Sequence, residues 1–199
     1  MESPSLEIEW CLAAHAKLAD VAAGLSDEIV HRPSLLPEWT VAHVLTHLAR
    51  NAEAMHRRID AALRGEQIDQ YEGGAEGRAA SIEAGARRDA RELVADVVDW
   101  SQRLDTTFAS LPADGWSRMV RSVAGGEYPI SALPFRRWRE VEIHIVDLNV
   151  GPTAADWPDH LVELSLPRLL SALPGRADER ELMAWALGRG PAPELDEWG

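Results

Sequence analysis

The chain has 199 residues, 46% of them apolar, which is enough for one domain with a sizeable core or one domain with a small appendage. With 20 basic and 33 acidic residues its net charge is −13, so repulsion from phosphate backbones and anionic surfaces excludes nucleic acids and membranes as expected partners. Cys11 is the only cysteine, which excludes an internal disulfide, and the absence of a signal-like or membrane-spanning apolar stretch predicts a cytoplasmic protein.

Residue usage and periodicity predict helices. Phe and Tyr number only two each, whereas Ala, Leu, Arg and Glu dominate, so we expect an all-α or mostly α fold. Apolar residues at helical spacing predict a first helix over residues 6–25. Thr40 occupies the N-cap position of a long amphipathic helix over 41–63.

The middle of the chain alternates loops and helices. The polar run 65–77 predicts a loop, and helices over 78–86 and 89–111 follow it. Residues 112–129 are the one stretch with extended character, which indicates either a short hairpin or a loop. Ser131 is predicted to cap a further helix that runs to residue 148.

The last quarter of the chain predicts two shorter helices, over 159–173 and 179–187, and an irregular tail over 190–199. The simplest arrangement is a four-helix bundle formed by residues 1–151, with a short helical extension over 152–199.

Glu140 and His144 are the first candidate metal ligands. They lie four residues apart, so a helix projects both from one face, and apolar neighbours turn that face towards the core. A carboxylate and an imidazole in a bundle interior are costly unless they are paired or bind a metal. The spacing therefore leaves two interpretations, a metal-binding pair or a Glu–His hydrogen bond.

His43 and His47 are also one helical turn apart, so either both bind one metal or only one faces the interior. His47 shares the apolar stripe of its helix, whereas His43 lies in the first turn near the cap. We therefore predict His47 as a ligand and His43 as structural. Asn51, one turn beyond His47, is a candidate to orient a ligand or a bound water.

Together His47, Glu140 and His144 form a His₂Glu set with room for a fourth ligand, as in catalytic zinc sites, although iron(II) and nickel also accept such donors. Asp147 is either an acceptor for an imidazole N–H or an exposed surface carboxylate. Cys11 has no His beside it and is predicted to be structural.

Several stretches resemble the mycothiol-dependent maleylpyruvate isomerases of the DinB-like superfamily. The matching segments are residues 36–51 with the paired histidines, 71–78, 137–148 with the Glu-x-x-x-His motif, 154–158, and 187–190 with a Gly-Arg-Gly motif. The resemblance implies a DinB-like four-helix bundle followed by a small α/β domain. Here the stretch between about residues 173 and 181 is too short for the strands of that domain, so we expect a reduced C-terminal extension.

The resemblance also implies the site. The second histidine of the Trp-Thr helix and the later Glu and His bind zinc in that family, which corresponds to His47, Glu140 and His144. The arginine of the Gly-Arg-Gly motif is implicated in catalysis and corresponds to Arg189. Arg78, in another matching segment, is a second candidate to bind a substrate carboxylate or stabilise an enolate.

The implied activity is mycothiol-dependent cis–trans isomerisation of a maleylpyruvate-like enoyl acid, through addition of a zinc-bound thiolate, bond rotation and elimination. One alternative is a mycothiol S-transferase that acts on an electrophile in detoxification or biosynthesis. Another is a non-enzymatic metal-binding module with four protein ligands, for instance with His43 joining His47. The expected partners are a small-molecule substrate and a thiol, with the chain a monomer or a homodimer.

Overall fold

The computed structural model describes residues 3–123 and 125–196. The helices in this part of the chain are α1 (Ser5–Ala23), α2 (Asp27–Val30), α3 (Val41–Leu63), α4 (Gly74–Gly85), α5 (Ala90–Ser110), α6 (Leu133–Asp147), α7 (Asp159–Ala172) and α8 (Glu179–Ala186). Two three-residue strands, β1 (Met119–Arg121) and β2 (Glu127–Pro129), pair antiparallel. The predicted mostly α fold is confirmed.

Four long helices form the core as a bundle. Helix α3 packs against α5 and α6, and α1 packs against the same two helices. Each of these four helices therefore has two neighbours within the bundle. The apolar stripe predicted for α3 is buried, and so is Trp138 of α6. The predicted four-helix bundle is confirmed, and it makes α3 and α6 direct neighbours.

The start of α6 differs from the prediction. Residues Ile130–Ala132 form a 3₁₀ turn, and Ala132, not Ser131, occupies the N-cap position without a side-chain cap. Pro134 lies in the first turn of the helix, where a missing N–H costs nothing because that group has no partner within the helix. The proline and the 3₁₀ turn thus begin the helix where a cap was expected.

Helix α4 begins four residues earlier than residue 78, the predicted start. Gly73 has a φ of 72°, a left-handed conformation that a glycine adopts readily, and the chain turns there into the helix. A Cβ at Gly77 would overlap the carbonyl oxygen of Glu72, so this turn requires glycine at both positions. The glycine-rich stretch that suggested a loop therefore starts a helix.

The extended stretch is a hairpin, as one of the two alternatives predicted. Met119 pairs with Pro129 and Arg121 with Glu127. The buried Arg58 of α3 anchors the hairpin, because its Nη1 donates to the Arg121 carbonyl and to the Tyr128 hydroxyl, both at 2.8 Å. The short helix α2, capped by Ser26, has too few residues to show a periodic pattern and was not predicted.

The chain divides into two units, the first ending at Ala155 and the second beginning at Asp156. The sequence analysis predicted this boundary four residues earlier, after residue 151. The second unit holds α7 and α8, and a tail without regular structure follows. Residues 197–199 of the predicted irregular tail and the first two residues of the chain lie outside the described residues. Among the described helices, none has the length and apolarity that a bilayer crossing requires.

The contact between α4 and α3 yields a stability prediction. A Cβ added at Gly85 would overlap the methyl group of Thr46 on α3. Gly85→Ala is therefore expected to lower the free energy of unfolding by about 1–3 kcal/mol, measured by urea denaturation. Gly24→Ala is the matched control, because a Cβ there meets nothing within 4 Å. Equal stability of the two variants would contradict the close contact.

Candidate metal centre

Helices α3 and α6 bring three predicted ligands to one point. His47 projects from α3, and Glu140 and His144 project one turn apart from α6. The Glu140 Oε1 lies 2.8 Å from His47 Nε2 and 3.7 Å from His144 Nε2. All three donor atoms lie within 4.8 Å of one another.

His144 is oriented by Asp147, one turn further along α6. Its Nδ1 lies 2.8 Å from the Asp147 Oδ2, which leaves Nε2 directed at Glu140. Burial alone would lower the pKa of His144, but the hydrogen bonds with Asp147 and Glu140 outweigh burial and raise it to about 9. Asp147 is therefore the imidazole partner that its spacing suggested.

The other nitrogen of His47 contacts Arg78 of α4. The Arg78 Nη2 lies 3.1 Å from His47 Nδ1, and a guanidinium only donates, so Nδ1 accepts this hydrogen bond. The Nε2–H of His47 then donates to Glu140. Burial lowers the pKa of His47 to about 4, against the opposing effect of Glu140, so this imidazole is neutral at pH 7.

Glu140 carries the negative charge of the cluster. Burial raises the pKa of its carboxyl, but the hydrogen bonds with His144 and His47 more than offset this and hold the pKa well below 4.5. The Arg78 guanidinium, which also lies 5.7 Å from the centre of the Tyr71 ring, adds a positive charge beside His47. Each of these four side chains therefore has a polar partner within the cluster.

The donor set fits a divalent metal. Two imidazole nitrogens and one carboxylate oxygen lie within 4.8 Å of one another, and these are donor types that zinc accepts in proteins. The Asp147–His144 contact is the carboxylate–histidine arrangement common behind zinc ligands. The side chains of Glu140 and His144 are 27% and 17% exposed, so solvent reaches both of them.

His43 does not join this set. Its Nδ1 accepts from the Thr40 backbone N–H at 3.2 Å, and its Nε2 lies 3.3 Å from the Glu83 carboxylate. Both ring nitrogens therefore contact groups outside the cluster. The Trp39 ring contacts both histidines, with its centre 6.1 Å from that of His43 and 5.7 Å from that of His47.

Asn51 contacts a buried arginine. Its Oδ1 accepts from the Nη1 of Arg137 at 3.1 Å, so it orients a buried guanidinium, and its role towards a ligand or water stays a prediction. Arg137 is fully buried and also donates to His15 at 2.9 Å. Sequence reasoning missed this network, although Arg137 lies three residues before Glu140 and shares its side of α6.

A second His/Cys/Asp group lies in the bundle, formed by Cys11, His15 and Asp105. The prediction that Cys11 has no His neighbour is wrong, because its Sγ lies 3.9 Å from His15 Nε2, a contact that the spacing of four residues would have indicated. Arg137 donates to that same nitrogen, so both nitrogens of His15 are engaged and a positive charge lies where a cation would bind. Burial raises the pKa of the Cys11 thiol to about 12, which agrees with a structural role.

Arg189, the other predicted catalytic residue, belongs to the second unit. It follows α8 and its side chain is exposed. Its role stays a prediction.

Comparison with known proteins decides the family. Residues 11–149 match the profile of the mycothiol maleylpyruvate isomerase N-terminal domain, which is more than half of the chain. The chain belongs to this family. The matched segment contains the bundle helices α3, α5 and α6, most of α1, and all three proposed ligands.

Solved structures agree with this family assignment. The crystal structure of the mycothiol-dependent maleylpyruvate isomerase matches with a TM-score of 0.76 and 26% identity, over 82% of this chain and 70% of that one. A histidine-to-alanine mutant of that enzyme matches with the same TM-score and coverage at 25% identity. YfiT from Bacillus subtilis, described as a probable metal-dependent hydrolase with an unusual four-helix bundle topology, has a TM-score of 0.59 at 17% identity over 81% of this chain and 87% of that one, which shows the fold alone. A comparison with curated proteins finds no match.

The raised pKa of His144 predicts how the stability of the metal-free protein depends on pH. A folded-state pKa of about 9, above the ordinary histidine value of 6.5, means that the protonated imidazole stabilises the fold below pH 6.5 and that this contribution is lost as the pH rises towards 9. In EDTA the wild type is expected to have a higher free energy of unfolding than His144→Gln at low pH. This difference is expected to decrease by an amount on the order of 1–3 kcal/mol between pH 6.5 and pH 9. His31→Gln controls for loss of an exposed histidine. A constant margin would contradict the ion pairing of His144.

Proposed function

We propose that this chain is a metal-dependent and thiol-dependent cis–trans isomerase acting on a maleylpyruvate-like enoyl acid, with mycothiol or a similar small thiol as cofactor. The observation that carries the proposal is the convergence of His47, Glu140 and His144 within 4.8 Å in a bundle of this family. Two of the similar solved structures are those of the mycothiol-dependent maleylpyruvate isomerase, which suggests the reaction class.

His47, Glu140 and His144 are the proposed ligands, and zinc is the proposed metal because two imidazoles and one carboxylate suit it. When bound, the metal supplies Lewis acidity that lowers the pKa of a thiol reaching its open position. Asp147 holds the His144 ring by its Nδ1, so Nε2 keeps its direction towards the ligand set.

The isomerisation itself takes place on the substrate. The thiolate adds to the carbon of the double bond that is β to the carbonyl, and the electron pair of that bond moves onto the carbonyl oxygen. The remaining carbon–carbon single bond rotates, the enolate re-forms the double bond, and the thiolate leaves. Atoms and electrons balance without an oxidant or reductant, and the thiol is regenerated in each cycle.

Arg78 is the proposed residue for the anionic substrate. It donates to His47 Nδ1, which requires the tautomer with hydrogen on Nε2. A His47 that binds a cation through Nε2 carries its hydrogen on Nδ1 and no longer accepts from Arg78. The guanidinium, half-buried next to the ligand set, then becomes available to a carboxylate or an enolate oxygen.

A mycothiol S-transferase is the second candidate. The observation favouring it is that the chain covers 70% of the isomerase structures and the family match ends at residue 149. The family match therefore does not extend the isomerase assignment to the last 50 residues. A transferase forms a stable thioether and consumes thiol in proportion to product, whereas an isomerase leaves the thiol concentration unchanged.

The experiment that separates the candidates follows maleylpyruvate absorbance and free thiol together, with the zinc-loaded protein and mycothiol. Isomerisation with constant free thiol supports the proposal. Thiol loss equal to product formation, with an adduct seen by mass spectrometry, supports the transferase. Zinc binding with neither reaction on a panel of enoyl acids and electrophiles favours the non-enzymatic module.

Metal content tests the proposed ligands. We expect one zinc ion per wild-type chain, and a loss of at least about tenfold in affinity for His47→Ala, Glu140→Ala and His144→Ala, each of which removes one of three protein ligands. His43→Ala is the matched control on the same helix and is expected to keep the metal. A loss of metal from His43→Ala as large as that from His47→Ala would favour a closed site with four protein ligands.

Arg78→Met tests the carboxylate-binding role. Because a charge-assisted bidentate contact is lost, the variant is expected to lose about 10- to 100-fold in kcat/KM while keeping one zinc ion per chain. Arg189→Met, assayed in parallel, tests the role that the resemblance implies for Arg189. An unchanged kcat/KM for Arg78→Met would remove this arginine from the mechanism.

A further inference from the structure

Arg137 links all four helices of the bundle. Its side chain is fully buried on α6, and its Nε donates to His15 of α1 at 2.9 Å. Its Nη1 donates to the Leu48 carbonyl and the Asn51 side chain of α3, at 2.9 and 3.1 Å. Its Nη2 donates to the Ser101 hydroxyl of α5 at 3.3 Å.

The partners of this guanidinium are themselves fixed. His15 accepts from Arg137 through Nε2 and donates through Nδ1 to the Asp105 carboxylate at 2.6 Å, which supplies the countercharge through one intervening ring. Ser101 accepts from Arg137 and donates to the Val97 carbonyl at 2.7 Å. A buried arginine with these partners holds one side-chain conformation, because any rotation leaves a buried donor without an acceptor.

The network lies beside the proposed ligands along the chain. Leu48, whose carbonyl Arg137 binds, directly follows His47, and Arg137 precedes Glu140 by one turn of α6. A rigid contact therefore joins α3 to α6 next to the proposed ligands, His47 on α3 and Glu140 on α6, which must approach one another to bind one metal. Metal ligands need to be held to within about 0.5 Å by groups that are themselves fixed.

We propose that Arg137 is a positioning residue for the metal centre, setting the separation of α3 and α6 so that His47 meets Glu140 and His144. The inference rests on the proposed function, since it assumes that these three residues bind a metal. The hydrogen bonds of Arg137 go to His15, Leu48, Asn51 and Ser101 and not to the ligands, so its positioning effect acts through the helix backbones, while its charge also attracts that of Glu140. No chemical step is assigned to it.

The test measures the affinity of the purified protein for Zn²⁺ by competition with a chromophoric chelator, and the visible spectrum of the Co²⁺-loaded protein. Arg137→Met is expected to bind Zn²⁺ about 10- to 100-fold more weakly and to change the Co²⁺ absorption, since the ligand geometry relaxes. Arg137→Lys keeps the charge but loses the planar fork of donors. Its Zn²⁺ affinity is expected to lie between those of Arg137→Met and the wild type.

Arg58→Met is the matched control, because Arg58 is an equally buried arginine on α3 whose bonds reach Ala54, Arg121 and Tyr128 and not α6. It is expected to lower the melting temperature without changing Zn²⁺ affinity or the Co²⁺ spectrum. An equal loss of affinity in both methionine variants would show that general destabilisation is the cause, and would overturn the positioning role.

Asn51→Ala keeps the test decisive if Arg137→Met does not fold. It removes one acceptor of Arg137 on α3 and is expected to weaken Zn²⁺ binding by a smaller factor than Arg137→Lys. Wild-type affinity and spectrum in folded Arg137→Lys and Asn51→Ala would overturn the proposal while leaving the metal centre intact. A wild-type chain that binds no Zn²⁺ would overturn both the proposed function and this inference.

Discussion

The contact of His47 with Glu140, 2.8 Å between Nε2 and Oε1, is the interaction on which the candidate site depends. It joins α3 to α6, two helices separated by more than 60 residues of sequence, and the packing of the bundle makes it possible. The contacts within α6 are local. His144 is one turn from Glu140 on the same helix, and Asp147 is one turn further.

Local patterns predicted the parts of the fold that depend on local chemistry. Apolar periodicity and the Thr40 cap predicted α3 with the bounds that it has, and the i, i+4 spacing placed Glu140 and His144 on one face of α6. The mostly α bundle followed from composition. Ser131 was wrong as a cap, because a proline and a 3₁₀ turn determined the start of α6.

The buried polar network of Arg137 and His15 was not predictable from one sequence. An arginine is usually exposed, and its burial depends on acceptors that three other helices bring together only in the folded bundle. The contact of Arg78 with His47 was not predictable for the same reason, because it depends on where α4 begins, and Gly73 and Gly77 determine that position. Sequence spacing indicates polar partners that lie within one helix. Partners on different helices are determined by the tertiary structure.

The hydrogen-bond chain from Arg78 through His47 to Glu140 has a consequence for how this protein is handled. Without a cation, each of these polar groups already has a partner inside the protein, so little drives the bundle to open when the cation is removed. Depleted and loaded chains are then expected to have the same circular dichroism and elution volume. An inactive preparation can therefore look fully native, and elemental analysis of each batch has to accompany any assay.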